Sequence, residues 1–219
     1  MIIDELISPI VPTLLPTDTG NHALNIMEEA HLTQLPMVKE NQYLGLVKES
    51  DVLDLLKPDG ALDGNFQAYR PAVLAGGHPF EAMRIAHQQN LNIVPVVDKN
   101  DHYVGAITRD DLLKYITENS GMDSPGGIIV LQMEPRNYSL TEIARICESE
   151  DVMVMSSQVS NNATTGLLEV TLKTNRTNVE AVVSSFERHE YEVKEVFGAQ
   201  FGQEELMSRY NLLMSYINM

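Results

Sequence analysis

The feature that most constrains this chain is an internal repeat. Leu35-Pro36-Met37-Val38, a polar turn, then Gly45-Leu46-Val47 and Ser50-Asp51-Val52-Leu53 recur as Val94-Pro95-Val96-Val97, a turn, then Gly105-Ala106-Ile107 and Asp110-Asp111-Leu112-Leu113. The offset is 59 at the prolines and 60 at the glycines. The extra residue therefore falls in Asp98-Lys99-Asn100-Asp101-His102, against Lys39-Glu40-Asn41-Gln42, where a hairpin turn absorbs it without slipping a buried strand. Upstream, Ala23, Leu24 and Met27 match Ala82, Met83 and Ala86 at the same offset of 59. Each unit reads as an extended lead-in, a helix, a two-strand hairpin and a second helix.

The units are expected at residues 1–56 and 69–118, joined by the breaker-rich linker 57–68. About 50 residues bury too little apolar surface for comfortable independence, so the two are expected to pack sheet to sheet as one pseudo-symmetric body. A second linker, 119–127, precedes a different grammar. Ile128 to Met133 is an apolar strand. Ser139 can cap a helix whose Leu140, Ile143, Ala144 and Cys147 fall at helical spacing, and Val152 to Met155 is a strand. Leu168, Val170 and Leu172 alternate with polar residues. Val179, Val182, Val183 and Phe186 form a helical stripe, and Tyr191 to Phe197 is a last strand. This gives a βαββαβ domain over 128–198. A tail, 199–219, has Leu206, Tyr210, Leu213 and Ile217 on one helical face.

Composition narrows the partners. The 219 residues carry 15 Lys+Arg against 31 Asp+Glu, a formal net charge of −16. Without a basic run such a chain repels phosphate backbones and anionic membranes, so neither nucleic acid nor a membrane surface is an expected partner. No apolar run approaches the roughly 20 residues of a membrane span, and the first residues carry acids where a secretion signal needs positive charge. The single cysteine, Cys147, fits a reducing compartment. The expected location is the cytoplasm. No Gly-x-Ser-x-Gly elbow, Walker loop or Gly-x-Gly-x-x-Gly occurs, and the six histidines are scattered. Neither an enzyme nor a metal site is expected, and no obligatory cofactor. Cys147, on an apolar stripe, reads as an inert buried thiol.

Gly105-Ala106-Ile107-Thr108-Arg109-Asp110-Asp111 is the most informative heptad. At a strand-to-helix junction it places a hydroxyl three residues before a carboxylate, beside a fresh helix N-terminus. A carboxylate there can accept from the vicinal hydroxyls of a ribose, while helix N–H groups and Arg109 attract a phosphate. Thr-x-x-Asp is equally a capping box that satisfies helix donors and binds nothing, and the spacing leaves both readings open.

The paired hydrophobic-Pro-hydrophobic-Val hairpins, followed by Gly-h-h-Thr-x-x-Asp, resemble a tandem pair of CBS domains over about residues 1–118. The resemblance implies an adenosine-nucleotide site in which Thr108 and Asp111 hold the ribose. The base would lie near Val94 and Pro95 and the lead-in Val73 and Leu74. The first repeat keeps Asp51 but has Lys48 in place of the hydroxyl, so Lys48 either reaches a phosphate or is a solvated surface residue. The βαββαβ part resembles an ACT domain. Its loop 134–139 lacks the glycine that family uses for its effector, which favours dimerisation as its main role.

The fold class implied is α+β: a CBS-domain pair of two pseudo-symmetric β-α-β-β-α units, followed by a ferredoxin-like βαββαβ ACT-type domain. The whole order is similar to the bacterial acetoin-utilisation B-type proteins. The function implied is a homodimeric ligand sensor for AMP, ADP, ATP or S-adenosylmethionine. The competing reading is an assembly module without a small-molecule ligand. Against the acidity, the cations available for a phosphate are Arg109, Lys48, Arg70 and Arg84.

Overall fold

The structure is a computed structural model that describes residues 2–55, 57–62, 66, 68–198 and 214. The amphipathic stripe expected in 199–219 lies outside the described residues, apart from Met214, as do Leu56 and positions 63–65 and 67 of the first linker. Two compact units divide the chain, Met1–Ile116 and Thr117–Met219.

The first unit opens with a short 3-10 helix, Ile3–Leu6, and an extended lead-in. Helix α1 (Gly20–Ala30) starts where Thr19 Oγ1 accepts from the N–H of His22, and stops at His31 in the left-handed region. Strands β1 (Gln34–Lys39) and β2 (Gln42–Lys48) form a hairpin whose turn residues, Glu40 and Asn41, both have positive φ, the conformation that matches strand twist in a two-residue turn. A five-residue helix α2 (Glu49–Leu53) follows. The second repeat gives β3 (Val73–Leu74), α3 (Pro79–Gln88), β4 (Ile93–Val97), β5 (Tyr103–Thr108) and α4 (Arg109–Asn119).

The duplication holds at the level of register. Pro36 pairs with Leu46 and Pro95 with Ala106, and each hairpin has a register shift at the same point, Met37/Val38 and Val96/Val97. Val38 pairs with Tyr43 and Val97 with Tyr103, which confines the one-residue insertion to the turn. The two repeats share a core in which Ile3 and Leu46 pack with Ile93, Val94, Val96 and Ile107.

Each lead-in also crosses to the other repeat. The N–H of Ser8 donates to the Ala106 carbonyl at 2.9 Å, and the N–H of Leu46 donates to the Tyr69 carbonyl at 2.9 Å. The glycines make this possible. A Cβ on Gly105 would collide with Ile7, and one on Gly45 with the Phe66 carbonyl oxygen.

The second unit holds β6 (Ile128–Met133), α5 (Leu140–Ser149), β7 (Val154–Asn161), β8 (Leu168–Thr174), α6 (Glu180–Arg188) and β9 (Glu192–Phe197). The sheet order is β7-β8-β6-β9 with every pair antiparallel, the arrangement of a ferredoxin-like domain. Ile129, Leu131, Val170 and Leu172 bury one sheet face against Ile143, Ile146 and Cys147 of α5 and Val182 and Phe186 of α6. Ser139 Oγ caps α5 by accepting from the N–H of Glu142 at 3.3 Å. Strand β7 starts two residues later and ends six later than the expected Val152–Met155. Its second half, Gln158-Val159-Ser160-Asn161, is exposed and lacks the alternation that marks a half-buried strand.

Candidate functional site

Thr108 ends β5 and immediately precedes α4, and its geometry is that of a capping box. The Asp111 N–H donates to Thr108 Oγ1 at 3.1 Å, and the Thr108 N–H donates to Asp111 Oδ2 at 3.0 Å. The Thr108 hydroxyl also donates to Asp111 Oδ2 at 2.5 Å. Both side chains are half-buried. The result is a rigid hydroxyl–carboxylate pair at the start of an eleven-residue helix whose first turn also carries Asp110.

Across the ladder, Ile93 pairs with Thr108, Val94 with Ile107 and Pro95 with Ala106. Val94 and Pro95 therefore lie on the strand beside Thr108, both buried. Val73 and Leu74 do not. They pair in parallel with Val96 and Val97, at the opposite end of β4 from Thr108. Val96 lies three steps along the strand from Ile93, about 10 Å at ~3.3 Å per residue. The lead-in that reaches β5 is instead the N-terminal one, Ile7 and Ser8, a pairing between residues almost a hundred positions apart that no local pattern signals.

The cations are already engaged. Arg109 donates to the Leu91 carbonyl at 2.9 Å and to Asn90 Oδ1 at 3.3 Å, which pins its guanidinium to the turn between α3 and β4. It lines a groove of about 350 Å³ between α3 and α4 with Met83, His87 and Leu112. The Lys48 ammonium lies 4.1 Å from the centre of the Tyr69 ring, a cation–π contact. Arg70 donates to the Tyr43 carbonyl at 2.7 Å and sits 3.7 Å from Asp101, and Arg84 donates to Gln88 at 3.0 Å. In the first repeat, Asp51 is exposed and accepts from Ser50 Oγ at 3.2 Å. Nine expected residues thus resolve into separate groups: Thr108, Asp111, Val94 and Pro95 at one junction, Arg109 turned toward α3, Lys48 and Asp51 on the first repeat, and Val73 and Leu74 along β4.

In the second unit a groove of about 670 Å³ is lined by residues of the 134–139 loop together with Glu142, His189 and Tyr191. The Tyr191 hydroxyl donates to Glu142 Oε2 at 3.2 Å, and partial burial, followed by the neighbouring Glu142 carboxylate, raises its pKa above the ordinary phenol range. Cys147 is fully buried. Burial first, and Glu148 next, push its thiol up to about 11. Among the described residues, no three His, Cys, Asp or Glu side chains gather as a metal site would require, and no helix is long and apolar enough to cross a membrane.

Residues 3–58 and 72–118 match the family model of the CBS domain, so the two repeats form a CBS domain pair. Solved structures with a similar fold include a CBS domain pair/ACT domain protein from Thermotoga maritima. It is 20% identical with a TM-score of 0.50, over 54% of this chain and 98% of that one. The CBS domains of a transcriptional regulator from Streptococcus pneumoniae are 21% identical, with a TM-score of 0.46 over 52% and 98% of the two chains. The CBS-pair protein CBSX2 from Arabidopsis thaliana is 18% identical, with a TM-score of 0.48 over 53% and 94%.

Proposed function

We propose that this chain is a non-enzymatic cytoplasmic regulator, organised like the acetoin-utilisation B-type proteins. Its CBS pair binds an adenosine-containing nucleotide, AMP, ADP, ATP or S-adenosylmethionine, through Thr108 and Asp111, with Val94 and Pro95 beside the base. The ferredoxin-like domain serves a homodimer or takes a second effector. The observation that carries this reading is the preformed Thr108–Asp111 pair on the strand-to-helix junction of a CBS domain. An ionised carboxylate offers about four lone-pair positions, and the box bonds use Oδ2. Vicinal ribose hydroxyls are donors of the right chemistry for such a group, and a helix N-terminus favours the phosphate that follows. Occupancy then biases how the pair packs in the dimer, which is the form regulation takes in a protein without catalytic groups.

The same hydrogen bonds favour a second reading, an assembly module without a small-molecule ligand, because Thr108 and Asp111 satisfy each other and Arg109 is held by Leu91 and Asn90. Calorimetric titration with the four ligands separates the two. Asp111→Asn keeps an acceptor for the Thr108 N–H but removes the charge. The sensor reading expects one of the ligands to bind and Asp111→Asn to weaken it at least about tenfold, or about 1.4 kcal/mol. No heat from any ligand leaves the assembly module, and identical binding by a variant whose circular dichroism is native overturns the role given to Asp111.

A further inference from the structure

Equivalent positions of a repeat are expected to make equivalent contacts, and at the first residue of each hairpin they do not. Gln34 opens β1 where Ile93 opens β4, at the offset of 59. Ile93 is fully buried in the apolar core. Gln34 is 7% exposed and is the one buried amide or charged side chain among the described residues of the CBS pair. A buried amide costs stability unless its donors and its acceptor are used.

Gln34 uses them on the other repeat. Its Oε1 accepts from the N–H of Asn92 at 3.1 Å, and its Nε2 donates to the Asn90 carbonyl at 3.3 Å. Beside it, Asn92 Nδ2 donates to Thr33 Oγ1 at 2.6 Å, a bond between two residues that are themselves equivalents at the offset of 59. The turn 90–92 is thus held from the first repeat, and the same three residues hold the start of α4. The N–H of Arg109 donates to the Asn92 carbonyl at 2.9 Å, and the Arg109 guanidinium donates to Asn90 Oδ1 and the Leu91 carbonyl. Gln34 therefore reaches the first residue of α4 through one intervening residue, Asn92.

The reverse clasp is missing. The N–H of Glu49 donates to the Thr33 carbonyl at 2.9 Å, as Arg109 does to Asn92, but the side chain of Ile93 has no polar atom with which to grip the turn 31–33. Two asymmetries then coincide. The junction steadied by a buried amide from the other repeat is the one with the full Thr-x-x-Asp, and the junction without it has Lys48 in place of the hydroxyl.

We propose that Gln34 is a positioning residue for the Thr108–Asp111 junction: from the first repeat, through the turn 90–92, it fixes where helix α4 begins. A satisfied buried polar network holds one geometry, and a binding group gains affinity when its geometry is set before the ligand arrives. The effect on affinity rests on the nucleotide reading given above, whereas the effect on the junction does not.

Two variants of the full chain test it, Gln34→Met, which keeps the length, and Gln34→Ile, which matches the second repeat. Backbone amide hydrogen exchange is followed by NMR without ligand, and each protein is then titrated with AMP. Positioning expects the amides of Arg109 and Asp111 to exchange at least about tenfold faster in both variants, while Glu49 and residues 128–198 keep their rates. Unchanged exchange at Arg109 and Asp111 overturns it. So does an equal acceleration at Glu49, whose acceptor Thr33 is the chain neighbour of Gln34, because that makes Gln34 an ordinary support of its own strand. If the parent binds AMP, both variants are expected to bind it at least about fivefold more weakly, and equal binding overturns the role at the site. A parent that binds no AMP counts against the nucleotide reading instead, and the exchange rates still decide the positioning.

Discussion

Asp111 carries two possible duties, and its hydrogen bonds make one of them measurable without any ligand. Its carboxylate accepts from the backbone N–H and the hydroxyl of Thr108 and so fixes the first turn of α4. Loss of a capping side chain costs about 1 kcal/mol. Asp111→Ala is therefore expected to lower the stability of the ligand-free chain by about that amount in denaturant unfolding, with Asp111→Asn losing less. An Asp111→Ala protein as stable as the parent would show that the box does not support the helix and that the carboxylate is kept for another purpose. The heptad around Thr108 was legible in the sequence because a strand, a cap and a helix start leave local marks. The commitment of Arg109 was not. Its partners are a carbonyl and an amide on a turn eighteen and nineteen residues away, and no spacing rule points an arginine at them.

At the scale of elements, the repeat is written in the hairpins, but the exchange of lead-ins is not. The paired prolines, the repeated register shift and the insertion confined to one turn all follow from a period that can be counted. Ser8 on Ala106 and Leu46 on Tyr69 join segments from different repeats, and the trace they leave in sequence is a pair of glycines at matching positions. Those glycines give an asymmetric prediction. At Gly45 an added Cβ meets backbone, the carbonyl oxygens of Phe66 and Tyr69, which cannot move without shifting the chain. At Gly105 it meets the side chain of Ile7, which can be trimmed. Both Gly→Ala changes are expected to destabilise by about 1–3 kcal/mol, and only Gly105→Ala should be relieved by Ile7→Ala. Equal behaviour of the two double variants, with Ile7→Ala added to each, would contradict the crossed lead-ins. The same limit explains β7. Its hairpin partner β8 holds it in the sheet through residues such as Ser157 opposite Leu172, while its own exposed side chains advertise nothing.

For the molecule as a whole, acidity and duplication act together. A net charge of −16 makes an anionic ligand depend on local compensation, and the nearby cations are each held: Arg109 by Leu91, Lys48 over Tyr69, Arg70 by Tyr43 and Arg84 by Gln88. In the proposed site the neutral parts of a nucleotide, its ribose and base, would meet Thr108, Asp111 and the buried strand β4, and a phosphate would meet the N-terminus of α4. The central claim is that an adenosine ligand seats at this junction. An NMR titration of the isotope-labelled chain with AMP and S-adenosylmethionine tests it most directly, by following each backbone amide. Saturable shifts centred on the amides of Thr108 to Asp111, with Ile93 and Val94 across the ladder, are the predicted result. Spectra that do not change with either ligand, or shifts confined to residues 128–198, would contradict it.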